Sequence, residues 1–168
     1  MTLWQLKSYR VEHLPNPSPK YELLILSISS PLLLGIYEDG SLIKTQSSEL
    51  KTSEILLPLI SETLEDYDIS RMIYTRGPGS YMAIKLTYIM LKTIEITRGI
   101  KCVGCSGFAL NGGQPIKAVG NLYFIKEKET IMTKKYEQPV DACFALPQSI
   151  HDLELDEEST PEYILPAV

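Results

Sequence analysis

Long hydrophobic runs are missing from this chain. No stretch approaches the ~20 consecutive apolar residues that carry a helix across a bilayer, so no membrane span is expected. The opening, MTLWQLKSYRVEHLPNPSPKYE, also lacks the apolar core of a secretory signal, and its Pro15, Pro17 and Pro19 read as an extended linker. Cysteine is scarce. Cys102, Cys105 and Cys143 are too few and too unevenly spaced for a disulfide framework, which points to a reducing, cytoplasmic setting. Positive charge is in deficit: 16 Lys and Arg stand against 21 Asp and Glu, a net charge of −5, which argues against a stand-alone nucleic-acid binder. The one local excess, Lys126, Lys128, Lys134 and Lys135, is broken by Glu127 and Glu129 and reads more simply as lysines along exposed strand edges.

Catalytic signatures are equally thin. His13 and His151 have no ligand or triad partner at recognisable spacing, and neither a Gly-x-Ser-x-Gly elbow nor an HExxH helix is present. No catalytic residue and no metal site is therefore expected. Cys102-Val103-Gly104-Cys105 is formally CxxC, yet Cys102 lies inside a strand pattern rather than at a helix start, so two buried strand cysteines are expected. Trp4 and the ten tyrosines are scattered rather than interleaved with Lys or Arg, which favours packing over base stacking.

What is present is an ordinary globular composition, 44% apolar and 22% charged. Residues 23–28 (LLILSI) and 32–37 (LLLGIY) have the length of buried strands, and Glu38-Asp39-Gly40 turns the chain into a third strand over 41–45. Ile55, Leu56, Leu59, Ile60 and Leu64 then recur at helical spacing, with Thr52 or Ser53 as N-cap and the regular helix starting close to Pro58. A strand over 69–74, a helix from about Ser80 to Arg98 capped by Gly99, and a strand over 100–105 follow. Beyond Asn111 the chain reads as strands over 116–119, 122–126 and 130–133, then irregular chain. An acidic surface loop covers 152–160, and the apolar end over 161–166 docks on the body. This order suits a mixed sheet covered by helices in an α/β fold.

The helix from Ser80 carries most information. Tyr81, Met82, Ile84, Leu86, Tyr88, Ile89, Met90, Leu91, Ile94 and Ile96 spread round most of its circumference, whereas a surface helix shows one apolar stripe. A sheet covers only one side, so the other needs either a partner protein or cover from the C-terminal segment. Tyr81 and Tyr88, seven residues apart, are the candidate anchors of a contact. The preceding turn, Arg76-Gly77-Pro78-Gly79-Ser80, places glycines at a helix N-terminus, where backbone N–H groups approach anions. It matches neither GxxxxGK[ST] nor GxGxxG, so Arg76, Gly77, Gly79 and Ser80 form only a phosphate-like turn.

Several stretches together resemble the TsaB family. IYTRGPGSYMAIKL (73–86) is similar to its RGPGS[FY]TGxR signature, TSEILLPLI (52–60) to its HSxxLLPLI helix, and ILSISSPLLLGIYEDG (25–40) to its first hairpin. GIKCVGCSGFAL (99–110) is similar to its next strand and helix, and TPEYILPAV loosely to its ending. The resemblance covers about residues 23 to 111. It implies an actin-like (ribonuclease H-like) fold with a reduced second subdomain, divided as an N-terminal extension (1–20), an actin-like subdomain (21–111) and a reduced second subdomain with tail (112–168). It also implies a non-catalytic subunit that supports transfer of a threonylcarbamoyl group to tRNA adenosine by a TsaD-like catalytic subunit. Pairing with TsaD, or with itself when alone, would use the two helices, through Leu56, Leu59, Ile60, Leu64, Tyr81, Ile84, Lys85, Tyr88 and Leu91. A TsaE-like ATPase is a further implied partner; direct tRNA binding is not implied.

The sequence departs from that pattern where a nucleotide would be handled. Leu26-Ser27 stands for the family's Asp-Thr, Thr52 for a histidine, Met82-Ala83 for Thr-Gly and Lys85 for an arginine. No cofactor is expected, with ATP or ADP at the subunit contact the one open alternative. The competing function is an ATP-dependent phosphotransferase of the actin-like superfamily.

Overall fold

Residues 18–164 are described by the computed structural model. Trp4, His13, Pro15 and Pro17 of the N-terminal extension, and Leu165 and Pro166, lie outside them. The first apolar run becomes strand β1 (Tyr21–Leu26), buried on both faces from Leu23 to Leu26, as the centre of a sheet requires. It pairs antiparallel with β2 (Leu32–Glu38). Asp39 and Gly40, both at positive φ (48° and 84°), make the two-residue turn to β3 (Ser41–Ser48). Helix α1 (Thr52–Asp66) leads to β4 (Ile69–Gly77), and helix α2 (Tyr81–Arg98) to β5 (Lys101–Ser106). Strand order is β3-β2-β1-β4-β5; β1, β4 and β5 pair in parallel, and β2 alone runs opposite, antiparallel to both β1 and β3.

Both helices lie on one face. Leu56 and Ile60 of α1 and Ile84, Leu91 and Ile94 of α2 pack with Leu23, Ile25, Ile36, Met72, Tyr74 and Cys102 of the sheet. The opposite face presents Leu24, Leu26, Tyr37, Ile73, Val103 and Cys105, and among the described residues no α-helix covers it. Irregular chain does so, with Phe144, Leu146, Ile150, Leu153 and Leu155 packed against that layer. This strap is pinned at both edges of the sheet, by backbone bridges of Ser149 to Ser41 and of Asp156 to Gly104. A 3₁₀ turn (Gly107–Leu110) then introduces a second, small antiparallel sheet of β6 (Ile116–Lys117), β7 (Leu122–Glu127) and β8 (Thr130–Lys135).

Four local expectations are corrected. β1 ends at Leu26, not at residue 28, because the chain turns out of the sheet at Ser27. α1 starts at Thr52 with Lys51 as its N-cap, and the Glu54 carboxylate accepts the Lys51 backbone N–H at 3.3 Å. Pro58 therefore sits inside the helix; it and Glu54, whose carbonyl loses a partner, are on the exposed side, where water serves instead. The acidic segment is not a free surface loop, since Asp156 exchanges both backbone hydrogen bonds with Gly104. β6 stops at Lys117, because the Ala118 N–H donates instead to Leu122 O in a tight turn.

Two features set the stability. Glu22, almost fully buried, takes the Arg71 guanidinium across the β1–β4 pair, Nε to Oε2 being 2.6 Å. Cys102 and Cys105 are both buried, but they face opposite sides of the sheet, Cys102 toward the helices and Cys105 toward the strap. A bond between them would require β5 to come apart. Burial pushes each thiol up from its ordinary 9.0 to about 12, and burial raises Tyr37 and Tyr74 as well.

Arg71→Met should lower the urea-unfolding free energy by about 3 kcal/mol, because it leaves a buried carboxylate with only the exposed Lys20 ammonium, 3.7 Å away. Adding Glu22→Gln should restore part of that loss, and a neutral Arg71→Met would show the pair to be dispensable. Alkaline stability follows from the thiols. Above pH 9 the unfolded chain gives up thiol protons while the folded chain keeps them to about pH 12, so the unfolded state binds fewer protons and stability falls as pH rises. The slope should reach about 1.4 kcal/mol per pH unit per thiol, and Cys105→Ala should flatten it in urea titrations run from pH 8 to 11.

Candidate functional site

α2 divides into two rows. Ser80 caps it, its Oγ accepting the Ala83 N–H at 3.4 Å, and Gly99 closes it in the left-handed region. Ala83, Ile84, Thr87, Leu91 and Ile94 form the inward row. The Thr87 hydroxyl donates to Ala83 O at 2.7 Å and so accepts from the Ser27 hydroxyl, also at 2.7 Å, which ties the exit of β1 to the middle of the helix. The outward row is Met82, Ile89 and Ile96, spaced by seven residues and 60%, 50% and 78% exposed; Leu57 on α1 is 51% exposed.

Membership of the proposed contact face is corrected accordingly. Leu56, Ile60, Ile84 and Leu91 are sealed against the sheet and have no surface to give a partner. Leu59, Leu64, Tyr81 and Tyr88 are half-buried, and Lys85 is exposed. The two tyrosines are already engaged within the chain: Tyr88 stacks on Tyr74, and Tyr81 meets Tyr163 of the tail with ring centroids 4.4 Å apart. The tail, described as far as Ile164, thus reaches the first turn of α2, and Met82, Ile89 and Ile96 stay exposed among the described residues. The signal for that outward row was the heptad spacing.

The phosphate-like turn is occupied by the chain itself. Arg76 Nη1 lies 2.5 Å from Asp156 Oδ2 and its Nε donates to Thr160 O at 2.7 Å, with Glu158 and Glu162 each 3.9 Å away. The Glu162 N–H donates to Arg76 O at 2.7 Å. Gly77 adopts φ 140° against the Glu162 carbonyl, so a side chain there would meet both backbone strain and a clash. Arg76 and Gly77 face the tail, whereas Gly79 and Ser80 line a cleft beside it.

That cleft, about 670 Å³, lies beyond the carboxyl ends of β1 and β4, between the chain after Ser27, the N-terminus of α2, the small sheet and the tail. Asn111 fixes its far wall. Fully buried, it donates to Gln114 O and Pro115 O at 3.1 and 3.2 Å and accepts the Cys143 N–H at 2.6 Å. The sequence marked Asn111 only as a chain breaker; two of its bonds close the local turn to Gln114 and Pro115, and the third joins that turn to the distant segment at Cys143. Lys126, Lys128, Lys134 and Lys135 are exposed on the β7–β8 hairpin, as expected of strand-edge lysines, and Lys134 lies over the Tyr136 ring. His151 is exposed at the β2–β3 turn, away from the cleft. Among the described residues no three His, Cys, Asp or Glu side chains converge as a metal site, and no helix is long and apolar enough to cross a membrane.

No protein-family model matches the chain, and no curated protein does. Solved structures do. YeaZ from Pseudomonas aeruginosa is similar at a TM-score of 0.54 and 11% identity, over 79% of this chain and 73% of that one. A second protein from Pseudomonas aeruginosa, described as similar to the peptidase YeaZ, gives a TM-score of 0.53 and 10% identity, over 70% of this chain and 64% of that one. The chain thus spans just under two thirds of the length of that second structure. At such identities the likeness is one of fold: a mixed five-stranded sheet with two helices and a small second sheet among the described residues, the actin-like α/β architecture of YeaZ.

Proposed function

We propose that this chain is a non-catalytic subunit of TsaB type, which supports threonylcarbamoyl transfer to tRNA adenosine by a TsaD-like catalytic subunit and pairs with it through the outer side of α1 and α2. Alone, it pairs with a second copy through the same face. The observation that carries the reading is the outward row of Met82, Ile89 and Ile96 on α2, with Leu57 exposed on α1, apolar side chains held in water on a helix layer whose inner row already fills the core. The fold shared with YeaZ gives the reading its pathway, a link by analogy of fold. A TsaE-like ATPase belongs to the same proposal as a secondary partner, and tRNA contact is assigned to the catalytic subunit.

The residues at the other candidate centres fit a supporting role. Leu26 is an apolar core residue and Ser27 is bonded to Thr87, so no carboxylate stands at the exit of β1 to hold a metal–phosphate group. Arg76, the cation of the phosphate-like turn, is held by the chain's own acidic tail. Neither Cys102 nor Cys105 is a nucleophile near neutral pH, since burial keeps both thiols protonated.

Ile89→Asp should weaken pairing with a TsaD-like subunit, or self-association, by at least about 30-fold while leaving the far-UV circular dichroism unchanged, because an apolar hot spot contributes roughly 2 kcal/mol or more. Ile84→Asp should instead unfold the chain, since its side chain lies in the core. Size-exclusion chromatography with light scattering reads both; a wild-type chain that is monomeric and indifferent to the catalytic subunit sinks the proposal. Calorimetry with ATP and magnesium on the isolated chain should give no heat of binding, and tight binding would move the assignment to the phosphotransferase.

A further inference from the structure

The two helices of the outer layer carry opposite charge. α1 has Glu54, Glu62, Glu65 and Asp66 and no Lys or Arg within it. α2 has Lys85, Lys92 and Arg98 against Glu95 alone. All four acids of α1 are exposed, and among the described residues none has a cationic group within ion-pair distance. Lys85 and Arg98 are exposed and lack a carboxylate partner in the same way, while Lys92 holds Glu95 Oε2 at 2.9 Å. The helices pack against each other, yet their charges do not pair across that contact. Glu65 and Asp66 also stand in the last turn of α1, where the helix dipole favours a cation and none is supplied.

The lysines of α2 are placed beside its apolar row. Lys85 follows Met82 by three residues and precedes Ile89 by four; Lys92 stands in the same relation to Ile89 and Ile96. Residues three and four apart are neighbours on a helix surface, so both lysines flank the row. The direction of the helices follows from the sheet. β3, β4 and β5 run the same way, and each helix returns the chain from the end of one to the start of the next. α1 and α2 therefore run parallel to each other, opposite to those strands. A second copy can be laid face to face on this layer about two kinds of two-fold axis. An axis across the helices sets α1 on α1 and α2 on α2, acid against acid and base against base. An axis along the helices sets α1 of each copy on α2 of the other and keeps them level. The acidic half of α1, Glu62 to Asp66, then faces the half of α2 that carries Lys92 and Arg98. Only the second arrangement is complementary.

We infer that the occupant of this face in the self-paired form is a second copy crossed in register, α1 of each chain on α2 of the other, and that the acids of α1 and the lysines of α2 select that arrangement. The inference rests on pairing through the outer face of α1 and α2 and adds the charge code that orients it. The apolar row supplies affinity, and the charges supply specificity by penalising the uncrossed arrangement. Self-association of the full chain is measured by sedimentation equilibrium at low salt. Glu62→Lys with Glu65→Lys should weaken it at least about tenfold, since like charges then meet on both flanks of the dimer. Lys85→Glu with Lys92→Glu should do the same. All four changes on one chain should restore pairing to within about threefold of the wild type, because the code is reversed but still complementary. The sites are exposed or half-exposed, so circular dichroism should stay native throughout. Pairing that is lost on Ile89→Asp but indifferent to Glu62→Lys with Glu65→Lys keeps the face and overturns the crossed arrangement. A fourfold variant that stays apart also overturns it, and a wild-type chain that never self-associates overturns both readings.

Discussion

A five-stranded sheet with β1 at its centre has two apolar faces to remove from water, and among the described residues α-helices cover only one of them. The second face depends on the strap, a length of irregular chain held by side-chain burial and by bridges at the two sheet edges. Irregular chain carries backbone N–H and C=O groups that need partners, so it covers an apolar face only when fixed at defined points. Those points are Gly40 and Leu42 on one edge, Gly104 on the other, and the Arg76 cluster beyond. The Tyr74 hydroxyl, reaching Ser159 O from within the sheet, adds a buried anchor. The strap from Phe144 to Glu162 is thereby committed to closing the core.

That commitment decides the character of the turn before α2. A guanidinium beside glycines at a helix N-terminus has the ingredients of an anion site. Here Asp156 and the Thr160 carbonyl already satisfy Arg76, and Glu158 and Glu162 add to the negative field. The same tail residues that complete the core also form one wall of the cleft through Glu162, Tyr163 and Ile164. What is left open at the head of the sheet is lined mainly by apolar side chains.

The regular elements were legible in the sequence because each obeys one period. The run from Leu23 has the continuous apolar character of a strand buried on both faces, and Gly99 marked the end of α2 to the residue. The fold class was legible for the same reason, supported by the RGPGS stretch. The strap was not, since Phe144, Leu146, Ile150, Leu153 and Leu155 follow no helical period and no strand partner is local to them. Pro58 misled because its cost depends on whether the orphaned carbonyl reaches water, which position in the chain does not tell. The site was read half correctly. Apolar residues all round α2 showed that both its sides matter, but composition cannot say which row turns inward, and Leu56, Ile60, Ile84 and Leu91 were placed on the wrong side.

Thr87 separates the two rows. A threonine at 0% exposure in the middle of an apolar helix needs its hydroxyl satisfied, and it is, by Ala83 O and by Ser27. The pair fixes the rotation of α2 about its own axis: turning the helix far enough to bury Ile89 would strand Thr87 and break its tie to the exit of β1. The inner row of Ile84, Leu91 and Ile94, buried against the sheet, and this polar contact, worth about 1 kcal/mol in isolation, favour the same rotation of α2 and together leave Met82, Ile89 and Ile96 facing water. An apolar row left outward by a core that is already filled is what a contact surface requires.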